Sequence, residues 1–464
     1  MANVGGAEAN AATAARKLFG TDGVRGTANV EPVTCEIALR LGRAAAQLCA
    51  AAPTPRRFVV GKDTRRSSDM LESAVAAGIC SAGADVVLAG VLPTPGIALL
   101  TRQLGAAGGV VISASHNAFQ DNGIKLFGFT GFKLTDEIEA AIERLVLEDG
   151  SGARLPTGAD VGTVQVLDDA TARYAESLRR TLPGGCSLRG LKIVIDCAHG
   201  AAYRVAPEVF ASLGAVVVAI GAHPDGVNIN RDAGALHPRQ LQETVLATQA
   251  HLGLALDGDA DRAMLVDERG AVVDGDEVLA LAAADMLAHG TLRGNTVVAT
   301  VMSNIGLEIA LRERDARLVR VPVGDRYVVE EMVRGGYNLG GEQSGHLLVL
   351  DHSTTGDGVL AGLTVARLMI EGQRPLSELK RVMAKYPQAL VNVRVARRED
   401  LDAVPTVRRV IEQVSERLHN RGRVLVRYSG TEPLVRVMVE GEDADQVRAD
   451  AEEIAAALRA HLGA

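Results

Sequence analysis

The apolar run Val110-Val111-Ile112 opens directly into Ser113-Ala114-Ser115-His116-Asn117, and Asp121-Asn122-Gly123-Ile124-Lys125 follows. A buried strand that ends in small polar residues presents a serine to a cleft. Serine attacks only where a neighbour takes its proton or stabilises its product. His116 is the neighbour a hydrolase would use, but adjacent residues on an extended segment point to opposite sides, which argues against a Ser/His pair. For this loop taken alone, a Ser- and Asn-rich turn without chemistry remains open.

A second loop, Asp257-Gly258-Asp259-Ala260-Asp261-Arg262, sets three carboxylates at alternate positions on one side of an extended segment. Their repulsion is costly unless a cation sits among them. All-oxygen ligands select a hard ion, Mg²⁺ or Ca²⁺. Asp257, Asp259, Asp261 and Glu268 do fall at calcium-binding positions of an EF-hand loop, but Arg262 stands where that loop needs glycine and both flanks read as strands. Gly258 and Ala260 are small and leave room for an ion. Mg²⁺ takes one or two carboxylates plus phosphate oxygens and water, so the ligand still to be found is a phosphate. If Ser115 carries it, the two loops explain each other: the ion neutralises the leaving alkoxide of a phosphoserine, and Lys125 and Arg25 bring further positive charge to the phosphoryl oxygens.

Two more loops offer binding groups. In Gly340-Gly341-Glu342-Gln343-Ser344-Gly345-His346 the glycines permit close approach, while Glu342, Gln343, Ser344 and His346 offer acceptors and donors for sugar hydroxyls; taken alone, a plain Gly-rich turn with a structural His346 stays open. In Arg427-Tyr428-Ser429-Gly430-Thr431-Glu432-Pro433, Gly430 lets backbone amides face inward and Arg427, Ser429 and Thr431 add donors, a set that suits a phosphate.

The elements that must position these loops show a βαβ rhythm. Short β-branched runs alternate with Ala- and Leu-rich helical stretches around residues 57–113, again around 191–220, and again around 295–321. Ligands of such sheets lie beyond the carboxyl ends of strands, where these loops fall. The expected organisation is a tail at 1–15 and α/β domains at 16–160, 161–267 and 268–386. They carry the serine, carboxylate and sugar-reading loops in turn. An α+β domain at 387–464 with an antiparallel sheet carries the phosphate loop.

A chain of 464 residues is too long for one core and fits three or four domains. Its net charge of −8, with no basic and aromatic stretch, argues against nucleic acid as a partner. No run reaches the length of a membrane span, and residues 1–15 lack the apolar core of a signal peptide. Five cysteines without a C-x-x-C pair read as reduced thiols in the cytoplasm.

Together the loops resemble the α-D-phosphohexomutase superfamily from about Lys17 to Leu462. Lys17-Leu18-Phe19-Gly20-Thr21-Asp22-Gly23-Val24-Arg25-Gly26 and Val323-Gly324-Asp325-Arg326-Tyr327-Val328 join the four loops already described in carrying that resemblance. Gln343 and the Asp325-Arg326-Tyr327 stretch point to the branch that acts on glucosamine phosphates. The resemblance implies three α/β mixed-sheet domains of similar topology and a C-terminal α+β domain around one cleft. It also implies a phosphorylated Ser115, one Mg²⁺ bound by Asp257, Asp259, Asp261 and the phosphoserine, and sugar contacts from Glu342 and Ser344. Arg427, Ser429, Gly430 and Thr431 would bind the second phosphate, with Lys125, Arg25 or His346 handling the proton.

The implied reaction interconverts glucosamine 6-phosphate and glucosamine 1-phosphate through glucosamine 1,6-bisphosphate, feeding UDP-N-acetylglucosamine and cell-wall precursor synthesis. A small sugar phosphate is then the partner, and the oligomeric state stays open, a homodimer included. Glucose or mannose phosphates are the alternative substrates. A non-catalytic protein binding calcium or a sugar phosphate is the alternative of another class. Ala118 stands where the superfamily usually has proline after Ser-His-Asn, so a fixed φ is lost from the serine loop. Phe127-Gly128 also departs from the commoner aromatic-Ser ending.

Overall fold

The computed structural model describes residues 18–20, 22–48, 56–148, 154–429 and 433–463. Four sheets organise them. The first contains β1 (Val24–Thr27), β2 (Arg57–Lys62), β3 (Asp85–Val91), β4 (Gly108–Ile112), β5 (Asp121–Gly128) and β6 (Val164–Val166), in the order β1-β5-β4-β2-β3-β6. The second has β7 (Lys192–Asp196), β8 (Val216–Ile220), β9 (Leu252–Leu256), β10 (Ala263–Asp267) and β11 (Val272–Val273), in the order β11-β10-β9-β7-β8. The third has β12 (Thr296–Thr300), β13 (Arg317–Val321), β14 (Leu339–Gly341) and β15 (Leu347–Val349), in the order β13-β12-β14-β15. The fourth is antiparallel: β16 (Gln388–Arg394), β17 (Arg423–Tyr428) and β18 (Leu434–Glu440), with β18 in the centre.

The first three sheets share one plan. Parallel strands, joined by helices, end in a strand that turns back as an antiparallel neighbour: β4 into β5, β9 into β10, β14 into β15. The serine, carboxylate and sugar-reading loops are these three turns, so they occupy equivalent places in three related domains. The fourth loop likewise joins an antiparallel pair, β17 and β18. The fold is therefore three α/β domains of similar topology and a C-terminal α+β domain.

Strands covered by helices on both faces lose the period-two pattern and become continuous apolar runs. Ile193, Val194, Ile195 in β7 and Val297, Val298, Ala299 in β12 are completely buried. Side-chain caps start several helices. Asp274 and Glu277 form a capping box at Gly275–Ala288, and Asn304 and Asp357 cap the helices Ile305–Arg312 and Gly358–Gly372.

Two expected domain limits fall inside sheets. Val164–Val166 returns to the first sheet beside β3, beyond the limit set at 160. Val272 and Val273 pair with Val266 and Leu265, so the limit at 267 cuts a hairpin. The second limit falls in the Gly-containing turn between β10 and β11, and the first falls between the helix Asp136–Leu147 and β6; composition does not separate such connections from a linker between domains. The expected tail at 1–15 lies outside the described residues.

Candidate active site

Ser115 is 1% exposed and adopts φ +51°. Its loop is thus not the extended segment expected, yet His116 still turns away from it. The His116 ring meets Arg262 Nη1 at 3.2 Å, and burial, then Arg262 and Arg25, push its pKa down. Ser115 Oγ instead donates to Asp257 Oδ2 at 2.5 Å, which joins the first domain's nucleophile to the second domain's carboxylates.

The carboxylate loop is a tight turn with Ala260 at φ +56°. It brings oxygens of Asp257, Asp259 and Asp261 within 4.8 Å of one another. Thr94 Oγ1 donates to Asp259 Oδ2 at 2.6 Å, and Lys125 Nζ donates to the same oxygen at 2.7 Å and to Asp261 Oδ2 at 3.4 Å. Asp259 Oδ1 and Asp261 Oδ1 are buried and accept no hydrogen bond among the described residues. Burial, then repulsion from Asp261 and Asp259, pushes the Asp257 carboxyl well above the usual range.

A divalent cation answers both observations. It would satisfy the two orphaned oxygens and offset the burial and repulsion that raise the Asp257 pKa. The residues therefore fit a hard divalent cation such as Mg²⁺, which Asp257, Asp259 and Asp261 would hold. Gly258 stays small for a reason other than room for an ion. A Cβ there would lie 2.5 Å from Ser115 O and 2.8 Å from Asn230 Nδ2. Glu268 accepts from Ser377 N–H, so it serves the first turn of the helix Leu376–Leu379 and not an EF-hand.

Lys125 is fully buried. Burial pushes its pKa down, but Asp22, Asp259 and Asp261 outweigh that and raise it, so it supplies a fixed positive charge. Arg25 hydrogen-bonds the Asp22 carboxylate and carbonyl. His346 accepts from Gly356 N–H on Nε2 at 3.1 Å. That places a ring proton on Nδ1, 3.8 Å from Asp261 Oδ1. Burial lowers the pKa of the ring, while Asp261 and Asp325 outweigh it and raise it.

A cleft of about 540 Å³ opens here, lined by Arg25, His116, Arg262, Asp325, Glu342 and His346 among others. Glu342 accepts from Gly324 N–H and Ser344 Oγ at 3.2 and 3.1 Å. Arg427 is half-buried against Met302 of the third domain, and burial, then Arg436, lowers its pKa. Ser429 is buried, and its carbonyl accepts from Arg398 at 2.7 Å. Gly430 and Thr431 lie outside the described residues.

The structure adds residues that spacing alone does not reveal. Lys133 hydrogen-bonds Asp22 of its own domain and Asp325 of the third. Arg326 reaches back to Glu139 at 2.6 Å and also pairs with Asp136. These pairs close the cleft between the first and third domains. Thr94, Arg65 and Asn230 also touch the site loops. The run Asp63-Thr64-Arg65-Arg66-Ser67-Ser68 after β2 carried a readable signal, a charged strand-to-helix loop at the carboxyl edge of the sheet.

A serine against a buried carboxylate cluster that could hold a metal ion, on the first two of three related α/β domains, with further polar loops on the third and on the C-terminal α+β domain, fits a phosphoryl-transferring mutase of sugar phosphates. The four domain descriptions of the phosphoglucomutase/phosphomannomutase family match in order: alpha/beta/alpha domain I at 16–152, II at 172–270, III at 274–386, and the C-terminal domain at 390–457. The chain belongs to this family, and within it to the phosphoglucosamine mutases, which are isomerases.

A phosphoglucosamine mutase of Geobacter sp. (strain M21) is 55% identical, covering 97% of this chain and 99% of that one. One of Anaeromyxobacter dehalogenans is 56% identical, covering 97% and 100%. The solved structure of a phosphoglucomutase/phosphomannomutase family protein from Burkholderia thailandensis shares the fold, with a TM-score of 0.78 and 24% identity over 95% of this chain and 97% of that one. Among the described residues no helix is long and apolar enough to cross a membrane.

Proposed function

We propose that the protein interconverts glucosamine 6-phosphate and glucosamine 1-phosphate through a phosphoserine at Ser115. The observation that carries this is the 2.5 Å contact of Ser115 Oγ with Asp257 Oδ2, which sets the hydroxyl on the edge of a carboxylate cluster suited to Mg²⁺. When bound, the ion supplies positive charge beside the phosphoryl oxygens and the departing serine oxygen.

In the first half-reaction the P–O bond at Ser115 breaks and the phosphoryl group passes to the free hydroxyl of the sugar phosphate, giving glucosamine 1,6-bisphosphate. The bisphosphate turns over in the cleft. Its other phosphoryl group then returns to Ser115 Oγ, so one phosphate leaves on the sugar and one stays on the enzyme. Lys125 supports both halves as a fixed cation. Arg25 is tied to Asp22 and His346 has a proton on Nδ1, which leaves His346 the better placed of the two to exchange a proton at the cleft wall. Glu342 and Ser344 read hydroxyls presented similarly in both orientations, while Arg427 and Ser429, with Gly430 and Thr431, hold the idle phosphate.

This activity supplies glucosamine 1-phosphate for UDP-N-acetylglucosamine and cell-wall precursors. A cytoplasmic setting is supported by Cys35, Cys80, Cys186 and Cys197, all free thiols. Intact-mass measurement tests the covalent step: the purified protein should carry one phosphate that phosphatase and Ser115→Ala both remove. Coupled assays with glucosamine, glucose and mannose 6-phosphates test the substrate, and equal rates on the latter two would defeat the glucosamine assignment.

A further inference from the structure

Two domains grip the serine loop at the same two carbonyl oxygens. Arg65, 2% exposed, pairs through Nε with Asp63 Oδ2 at 2.9 Å. Its other nitrogens serve the loop: Nη2 donates to Ser115 O at 2.8 Å and Asn117 O at 2.9 Å, and Nη1 donates to Ala118 O at 2.6 Å. From the second domain, Asn230 Nδ2 donates to Ser115 O at 2.8 Å and to Asn117 O at 2.9 Å. Each carbonyl has two lone pairs, so both donors fit without competing. The rigid fork of a guanidinium serves several acceptors at once, as the point charge of a lysine does not.

The grip has something to hold. Ser115 sits at φ +51°, a conformation that a residue with a Cβ keeps where its surroundings impose it. Ala118 fixes no φ of its own, so the loop's shape must come from bonds to it. Asp63 holds the other side: it accepts from Ser113 Oγ at 2.6 Å, and Ser113 Oγ accepts from Ser115 N–H at 3.0 Å. The segment that carries Arg65 also docks on the second domain, through Thr64 Oγ1 to His199 O at 2.5 Å and Arg66 N–H to Gly226 O at 2.9 Å.

We propose that Arg65 and Asn230 are a positioning pair for the phosphoryl transfer. They hold Ser115 in its left-handed conformation with Oγ on Asp257, and they make that conformation depend on the second domain being docked on the first. Neither touches the reacting atoms; both act through the backbone of Ser115. The pair rests on the reading of Ser115 as the phosphoryl carrier.

Asn230→Gly keeps the left-handed backbone that Asn230 holds at φ +58° and deletes both bonds. Arg65→Lys keeps a charge opposite Asp63 without the fork. Steady-state kinetics of the full-length variants with glucosamine 6-phosphate, alongside intact mass and thermal melting, test the pair. The expected result is a fall in kcat of about 10- to 100-fold, the size that misplacing a reacting group produces. KM should stay within about twofold, the mark of a lost transition-state alignment and not of lost substrate binding.

Asn230→Asp, which turns an oxygen toward the two carbonyls, should fall at least as far. The glycine variant decides the matter if Arg65→Lys does not fold. An Asn230→Gly enzyme with undiminished kcat, or with a raised KM at unchanged kcat, overturns the pair while the phosphoserine of the wild-type protein leaves the reaction standing. A wild-type protein without phosphate, together with an active Ser115→Ala, overturns the reaction and the pair with it.

Discussion

Thr94 Oγ1 donates a 2.6 Å hydrogen bond to Asp259 Oδ2, and Thr94 N–H donates to Asp259 O at 3.0 Å. A residue at the start of a first-domain helix, Thr94–Gln103, thus fixes the middle carboxylate of the second domain's cluster. Groups that orient a metal ligand tune affinity without touching the metal. Thr94→Val keeps the shape and removes the hydroxyl donor. The Mg²⁺ concentration for half-maximal activity should rise about tenfold, read by titrating Mg²⁺ into chelator-treated enzyme, with Thr94→Ser restoring it.

The ends of many elements were readable because each is punctuated locally. Val216–Ile220, Arg317–Val321 and Arg423–Tyr428 are β-branched or aliphatic runs bounded by turn residues. The carboxylates of the cluster were legible because like charges so close in sequence demand an explanation. The pairings of Thr94, Arg65 and Asn230 were not, since each acts on a loop far along the chain, Thr94 and Asn230 across a domain boundary, and no local period marks such a pairing. The backbone of Ser115 is not the extended one its strand suggests: the strand before it ends at Ile112, and its φ is held by the bond to Ser113 Oγ together with tertiary bonds from Arg65 and Asn230.

Glu440 is completely buried, with Arg423 at 2.8 Å, Gln388 Nε2 at 3.0 Å and Asn304 Nδ2 at 3.2 Å. Arg423 also donates to Val301 O and Ser303 O at 2.8 and 3.1 Å. This cluster fastens the fourth domain to the third, at the root of the strand that carries Arg427. Glu440→Ala leaves a largely buried guanidinium without its carboxylate, which costs about 3 to 5 kcal/mol when a buried pair loses one member. Urea denaturation should show that loss. KM for the sugar phosphate should rise as Arg427 loses its bearing.

Tyr174 donates to Asp357 Oδ2 at 3.0 Å between the helix Ala170–Arg180 and the cap of the helix Gly358–Gly372. Burial pushes the Asp357 carboxyl up to about 6, with the Leu360 N–H and Tyr174 bonds opposing. The folded state therefore binds this proton more tightly than the unfolded one, whose pKa is the ordinary 3.8. The contribution is fully present below that ordinary pKa and is lost as pH rises through about 6. It amounts to roughly 3 kcal/mol for a fully buried group. Asp357→Asn, neutral at every pH, should flatten that part of the stability profile between pH 4 and pH 7, while Tyr174→Phe should move the fall to higher pH. Chemical denaturation at a series of pH values reads both.

At Gly258 the backbone of the carboxylate loop lies close against the serine loop. A Cβ on this glycine would stand 2.5 Å from Ser115 O, 2.8 Å from Asn230 Nδ2 and 2.9 Å from Ile229 Cδ1. The first of these is backbone, and the loop that owns it is already held by Arg65, so it has little freedom to yield. Gly258→Ala should cost about 1 to 3 kcal/mol, as overpacking does in tight interiors. Because the displaced atom belongs to Ser115, kcat should fall by more than the lost stability explains. Gly184→Ala is the matched control, since a Cβ there meets nothing within 4 Å. Its activity and melting temperature should equal those of the wild type, whereas a fully active Gly258→Ala would show that the serine loop can shift without harm to phosphoryl transfer.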